Sequence, residues 1–177
     1  LTHNEARQRS ASLNVHHTHV ELDLTDADRF TSITTVTFDA TSPSTFIECE
    51  GDITSVILNG EPMGFGHHDG RRLPLEGLRA TNELTIAASM TYARDGAGLH
   101  AHIDAADGER YLYAMSFLDA APRWFACFDQ PDLKSRVSMR VTCPQEWIVL
   151  GNAPTETTAP GVWEMAPTRP ISTYLVT

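Results

Sequence analysis

Eight histidines, three cysteines and one dense late segment, "RWFACFDQPDLKSR" at residues 123 to 136, are where this chain could do chemistry. His16, His17 and His19 lie in "HHTH", and His100 and His102 in "GLHAH". Residues i and i+2 of a strand share a face, so either His17/His19 or His100/His102 could form half of a metal site. No matching Cys pair or Glu-rich segment supplies the other half, which favours surface or hydrogen-bonded histidines. The dipeptide His-Glu does not occur, so there is no H-E-x-x-H, and neither a G-x-S-x-G elbow nor a Gly-rich phosphate loop is present. Cys127 stands near Asp129 with aromatics around it and no His close in sequence, which reads as a buried structural thiol rather than a nucleophile. By its residues alone, the chain is a domain without a self-contained catalytic site.

The elements that must position these residues follow from periodicity. The chain has 177 residues, 41% hydrophobic and 20% charged, enough apolar content for one real core. Thr2 precedes Glu5 by three, a capping-box spacing, and "EARQRSASL" is rich in helix formers, so one short N-terminal helix is expected. From about Asn14 the period becomes two. Val20, Leu22 and Leu24 alternate with Glu21 and Asp23, and Phe30, Ser32, Thr34, Val36 and Phe38 share one face of the next strand. The runs "TFIECE", "ITSVILNGEPM" with its Asn59-Gly60 hairpin signal, "RRLPLEGL", "NELTIAASMTYA" and "RYLYAMSF" continue the series. Val137, Met139, Val141 and Cys143 then face one way. "EWIVLGNAP", "VWEMAP" and "STYLVT" are read as the last β runs. The sum is an all-β domain over residues 1–177, a sandwich or curved sheet with one helix. The apolar ending at Tyr174-Leu175-Val176-Thr177 reads as a strand cut from a longer chain.

The net charge of −10, with no Lys/Arg cluster, argues against nucleic acid as a partner. "LTHNEARQRSASL" lacks the apolar stretch of a signal peptide, and no run approaches a membrane span. Cys49, Cys127 and Cys143 are odd in number and lack C-x-x-C spacing, which points to free thiols in a reducing compartment and a cytoplasmic location.

The late segment resembles the "AR-R-x-F-x-C-F-D-x-P-x-x-K" signature in the N-terminal domain of aminopeptidase N-type zinc aminopeptidases, in Arg123, Phe125, Cys127, Phe128, Asp129, Pro131 and Lys134. "LTHNEARQRSASLNVHHTHVELDLT", "NELTIAASMTYARDGAGLHAHIDAADGERYLY", "WIVLGNAP" and "RPISTYLV" are similar to actinobacterial-type members, so the likeness runs over the whole chain. It implies a saddle-shaped, mainly antiparallel β domain that packs over a thermolysin-like catalytic domain. By the same resemblance, the zinc, its H-E-x-x-H motif and the G-x-M-E-N substrate loop belong to the downstream part of the parent chain. No cofactor is then expected within these residues. The implied partners are that catalytic domain and the peptide substrate of the parent. The signature itself is expected to act as scaffold, with Pro131 setting a turn and Arg123 partnering a buried carboxylate such as Asp129.

One departure from the family pattern bears on function. Similar sequences run "YLYTQFEPADARR-x-F", and the carboxylate of that Gln-x-Glu-like pair anchors the free α-amine of the substrate. This chain reads "YLYAMSFLDAAPRWF", which puts Met115 at the Gln position, Phe117 at the Glu position and Pro122 at the first signature Arg. Phe cannot oppose an ammonium in a desolvated pocket. Asp119 is a possible slipped anchor, about 7 Å further along if the segment is a strand. Altered amine recognition, a slipped anchor and a different alignment all remain open at this point. So does a diverged paralogue that keeps the fold as a scaffold and has lost the activity.

Overall fold

The computed structural model describes residues 1–177, and nearly all of its regular structure is strand. The one α-helix, α1 (His3–Ser12), starts at the expected capping box: Glu5 N–H donates to Thr2 Oγ1 at 3.2 Å, and Thr2 N–H donates to Glu5 Oε2 at 2.6 Å. It runs straight into β1 (Leu13–Asp23) and β2 (Arg29–Ala40), long antiparallel partners whose apolar residues alternate inward as their period predicts. β3 (Ser44–Glu48), β4 (Asp52–Leu58) and β5 (Glu61–Pro62) follow. Asn59 and Gly60 both take positive φ, 54° and 83°, which closes the β4–β5 hairpin with the twist that flanking strands require. The series continues with β6 (Arg72–Glu76), β7 (Thr81–Thr91), β8 (Gly98–Ile103), β9 (Arg110–Met115), β10 (Arg136–Thr142), β11 (Thr155–Ala159) and β12 (Val162–Met165).

Eight strands form one sheet in the order β11-β12-β10-β1-β2-β7-β4-β5, antiparallel except for the β1–β10 pair. Two small antiparallel sheets, β3–β6 and β8–β9, complete the set. The core of 34 buried residues joins the inner face of the large sheet to the small sheets and the signature segment. Phe38 of β2 meets Phe128 edge-on with ring centres 5.0 Å apart, and Trp124 meets Phe125 at 4.6 Å. This is the all-β architecture with one short helix that the sequence implies. No helix is long and apolar enough to cross a membrane.

Two expected strands do not form. "EWIVLGNAP" leaves the sheet after Thr142: Trp147 N–H closes a turn on Pro144 C=O, and Ile148 and Leu150 stand exposed. The edge position beside β12 goes instead to the Thr-rich β11, a run with no apolar alternation to announce it. "STYLVT" forms a short 3₁₀ turn at Thr173–Leu175, and Val176 is fully buried. Asn152 clamps this turn, donating to Leu175 C=O at 2.9 Å and accepting from Thr177 N–H at 2.8 Å.

Candidate functional site: the signature clasp and the end of β9

The signature segment starts in a 3₁₀ turn, Ala121–Arg123, and then threads through the core. Cys127 and Glu48 exchange backbone hydrogen bonds at 2.9 Å each, which adds the segment to the edge of β3. The Glu48 carboxylate is buried and accepts from both terminal nitrogens of Arg9 on α1, at 3.0 and 3.1 Å. It also accepts from Asp129 N–H at 3.2 Å. The Arg9 guanidinium lies 4.1 Å from the Phe46 ring centre. Gln130 Nε2 donates within 2.9 Å of Ala6 C=O, Ser10 Oγ and Asp132 Oδ1, tying the same turn to α1. Leu133 N–H donates to Gln130 C=O at 3.0 Å, so Pro131 sits at the second position of a β-turn, as expected.

Asp129 is the interior carboxylate of the clasp. It accepts from Thr173 Oγ1 at 2.8 Å and from Arg71 Nη2 at 3.4 Å. Burial raises its pKa above the ordinary range, with Glu48 and Asp119 adding repulsion against the help from Thr173 and Arg71. Arg71 also pairs with Glu50 and donates to Asp119 C=O at 3.0 Å, which makes it a hub the sequence reading did not find. Its only sequence signal is the Arg-Arg pair at the entry to β6, Arg71 just before the strand, which names no partner. Arg123, expected to pair with Asp129, pairs instead with Asp95 at 3.0 Å. The reason is position: Gly98, at φ 73°, packs so closely that an added Cβ would lie 2.9 Å from Arg123 Cβ, which sets Arg123 beside the Asp95 loop. Burial pushes the Cys127 thiol well above its usual range, in keeping with a structural cysteine.

β9 stops at Met115, and Ala120 N–H donates to Ser116 C=O at 3.1 Å, so residues 116 to 120 form a turn. The alternation rule that would put Phe117 and Asp119 on one strand face therefore does not apply to them. Ser116 is buried, donates to Val176 C=O at 2.6 Å and accepts from Trp124 Nε1 at 3.0 Å. Met115 and Phe117 are 44% and 57% exposed, and Leu118 is 66% exposed. The Phe117 ring meets Tyr174 edge-on at 5.9 Å. Asp119 is exposed too, and its charge is felt at Asp129. Met115, Phe117 and Asp119 are thus all exposed at the end of β9, and the Arg71 hydrogen bond to Asp119 C=O ties this turn to the clasp.

Several of the histidines are engaged elsewhere. His17 Nε2 and His19 Nδ1 each lie 2.8 Å from Ser138 Oγ on β10, and His16 pairs with Asp39 at 2.8 Å. His100 Nδ1 accepts from Gly96 N–H at 3.1 Å and its ring packs on Tyr113 at 4.8 Å. No group of three or more His, Cys, Asp or Glu side chains is placed to hold a metal ion. The donors in these residues do not fit a zinc site.

The signature clasp thus ties this β domain to its own helix and to its C-terminal turn. Residues 8–175 match the Peptidase M1 N-terminal domain, and the chain belongs to that family. It is 37% identical over 183 aligned residues to Aminopeptidase N of Streptomyces lividans, covering 99% of this chain but 21% of that protein. This chain therefore spans about a fifth of that relative's length. Among solved structures, yeast LTA4 hydrolase superposes with a TM-score of 0.78 at 19% identity, over 94% of this chain and 28% of that one. An M1 zinc metallopeptidase from Deinococcus radiodurans gives 0.73 at 17% identity, over 93% of this chain and 41% of that one. These likenesses carry the fold.

Proposed function

We propose that this is the non-catalytic N-terminal domain of a zinc metallo-aminopeptidase, packed over the catalytic domain of the same polypeptide and shaping the pocket for the substrate N-terminus. The observation that carries the reading is the corner at Met115, Phe117 and Leu118, exposed apolar surface at the positions the family resemblance gives to the amine-anchoring pair. Membership of the M1 N-terminal family supports it, together with a match confined to 21% of a full aminopeptidase. On this reading the downstream domain supplies the zinc-activated water and the general base. This domain's own residues bound the space that receives the first substrate residue. All three cysteines are free and buried, in keeping with a cytoplasmic location.

A second reading has one specific observation in its favour. Phe117 offers no carboxylate to a free amine, so the domain could equally serve a diverged relative that binds or scaffolds without hydrolysis.

Oxidative footprinting of the full-length protein tests the packing. Corrected for intrinsic reactivity, Met115, Phe117 and Leu118 label far more slowly than Ile57, which is 41% exposed on the outer face of the large sheet. Labelling of all four in proportion to their exposure in this domain contradicts the packing.

A further inference from the structure

The strand that carries Met115 has an unused edge. The β8–β9 sheet has two strands only. In β8, Leu99 C=O accepts from Ala93 N–H at 2.8 Å and Ala101 N–H donates to Ala93 C=O at 3.0 Å. Backbone groups alternate between the two edges of a strand, so Gly98, His100 and His102 turn theirs toward β9, where Met115, Tyr113 and Tyr111 stand opposite. The N–H and C=O groups of Arg110, Leu112 and Ala114 therefore point away from β8, and no protein group bonds them.

Open edges are normally blunted by charge, proline, a bulge or a cover. This one has none of these beyond Arg110: residues 111 to 118 contain no charged residue and no proline, and the β8–β9 register runs without a shift. Tyr111, Tyr113 and Met115 stand exposed on one face of the same strand, and Phe117 and Leu118 extend that surface. An edge ladder of free backbone groups beside a row of alternate apolar side chains is the recognition surface for an added strand.

We propose that the open edge of β9 takes up an extended segment of the downstream polypeptide as a third strand. Arg110, Leu112 and Ala114 supply the ladder, and Tyr111, Tyr113 and Met115 pack against apolar side chains at alternate positions of the incoming segment. The inference rests on the reading that this domain docks against the rest of a longer chain. The occupant follows from two observations. The related aminopeptidase is several times longer than this domain, which covers 21% of it. The end of β9 also holds residues 174 to 176, through Phe117 on Tyr174 and the Ser116 hydrogen bond to Val176. A continuing chain therefore starts beside the edge, where closing a short loop costs little entropy.

Hydrogen exchange of the full-length protein, read at single amides by fragmentation mass spectrometry, tests this with an internal control. Tyr111 and Tyr113 N–H groups face β8 and stay protected in any case. The proposal expects Leu112 and Ala114 to exchange within about tenfold of them, as bonded members of one cooperative unit do. Exchange of Leu112 and Ala114 at the rate of an unprotected amide, with Tyr111 and Tyr113 protected, overturns it. If Met115 and Phe117 are shielded from oxidation in that case, the domain docks without a shared strand. If they are labelled freely, the docking reading has failed as well.

Discussion

Replacing Glu48 with Gln removes the charge on which the signature clasp is organised. The carboxylate and the Arg9 guanidinium each keep only 4% of their side-chain surface exposed, so solvent cannot screen the change. Gln keeps the shape and one acceptor but leaves Arg9 as a buried cation without a counter-charge. Breaking a buried pair from one side costs roughly 3–5 kcal/mol. Glu48 also accepts from Asp129 N–H, so the upper part of that range applies. Against a typical domain stability of about 5–15 kcal/mol, the loss is a large share of the total. Urea unfolding of the domain, followed by tryptophan fluorescence, reads it directly, because Trp124 is buried inside the clasp. The double change of Arg9 and Glu48 to Met should cost less than the sum of the two single changes, since neither partner is then stranded. A Glu48→Gln cost below about 1 kcal/mol, the level of an exposed pair, would refute the reasoning.

Two further outcomes follow from local geometry. Gly98→Ala, which forces a side chain onto φ 73° and against Arg123, should destabilise the domain by more than about 1 kcal/mol, whereas Gly→Ala at a compatible site stabilises, and an unchanged melting temperature would contradict it. His17 has its pKa lowered from 6.5, first by burial and then by the nearby charges of His19 and Arg136. The folded state thus binds this proton less readily than the unfolded chain, so its contribution is intact above about 6.5 and is lost as pH falls toward the lowered value. His17→Gln should flatten that part of the stability–pH curve, and an unaltered slope assigns the effect elsewhere.

The parts legible in the sequence are those set by local pattern. The capping box at Thr2 and Glu5, the alternation through β1 and β2, the Asn59-Gly60 turn and the Pro131 turn each depend on residues close in the chain. What escaped depends on partners far apart. Arg71 reaches Asp129 across 58 positions and Arg123 turns to Asp95 across 28. A lone Arg or Asp carries no sign of which opposite charge the fold will bring to it. Ile148 and Leu150 look like strand residues by composition, yet the edge beside β12 is already taken by β11. The candidate corner was legible as positions and not as geometry: the sequence placed Met115, Phe117 and Asp119, while the end of β9 at Met115 decides how they face.

The proposal that this domain helps a longer aminopeptidase chain receive a substrate N-terminus is tested most directly by kcat/KM of the full-length protein on a matched pair of free and N-acetylated peptides. A hydrogen bond to a charged group contributes about 1.5–3 kcal/mol, which is roughly 10- to 150-fold. Met115→Gln combined with Phe117→Glu should raise kcat/KM for the free-amine peptide by about that factor and leave the acetylated one nearly unchanged. A wild-type protein that strongly prefers the free amine, loses that preference on Asp119→Asn and ignores changes at Phe117 would contradict the assignment.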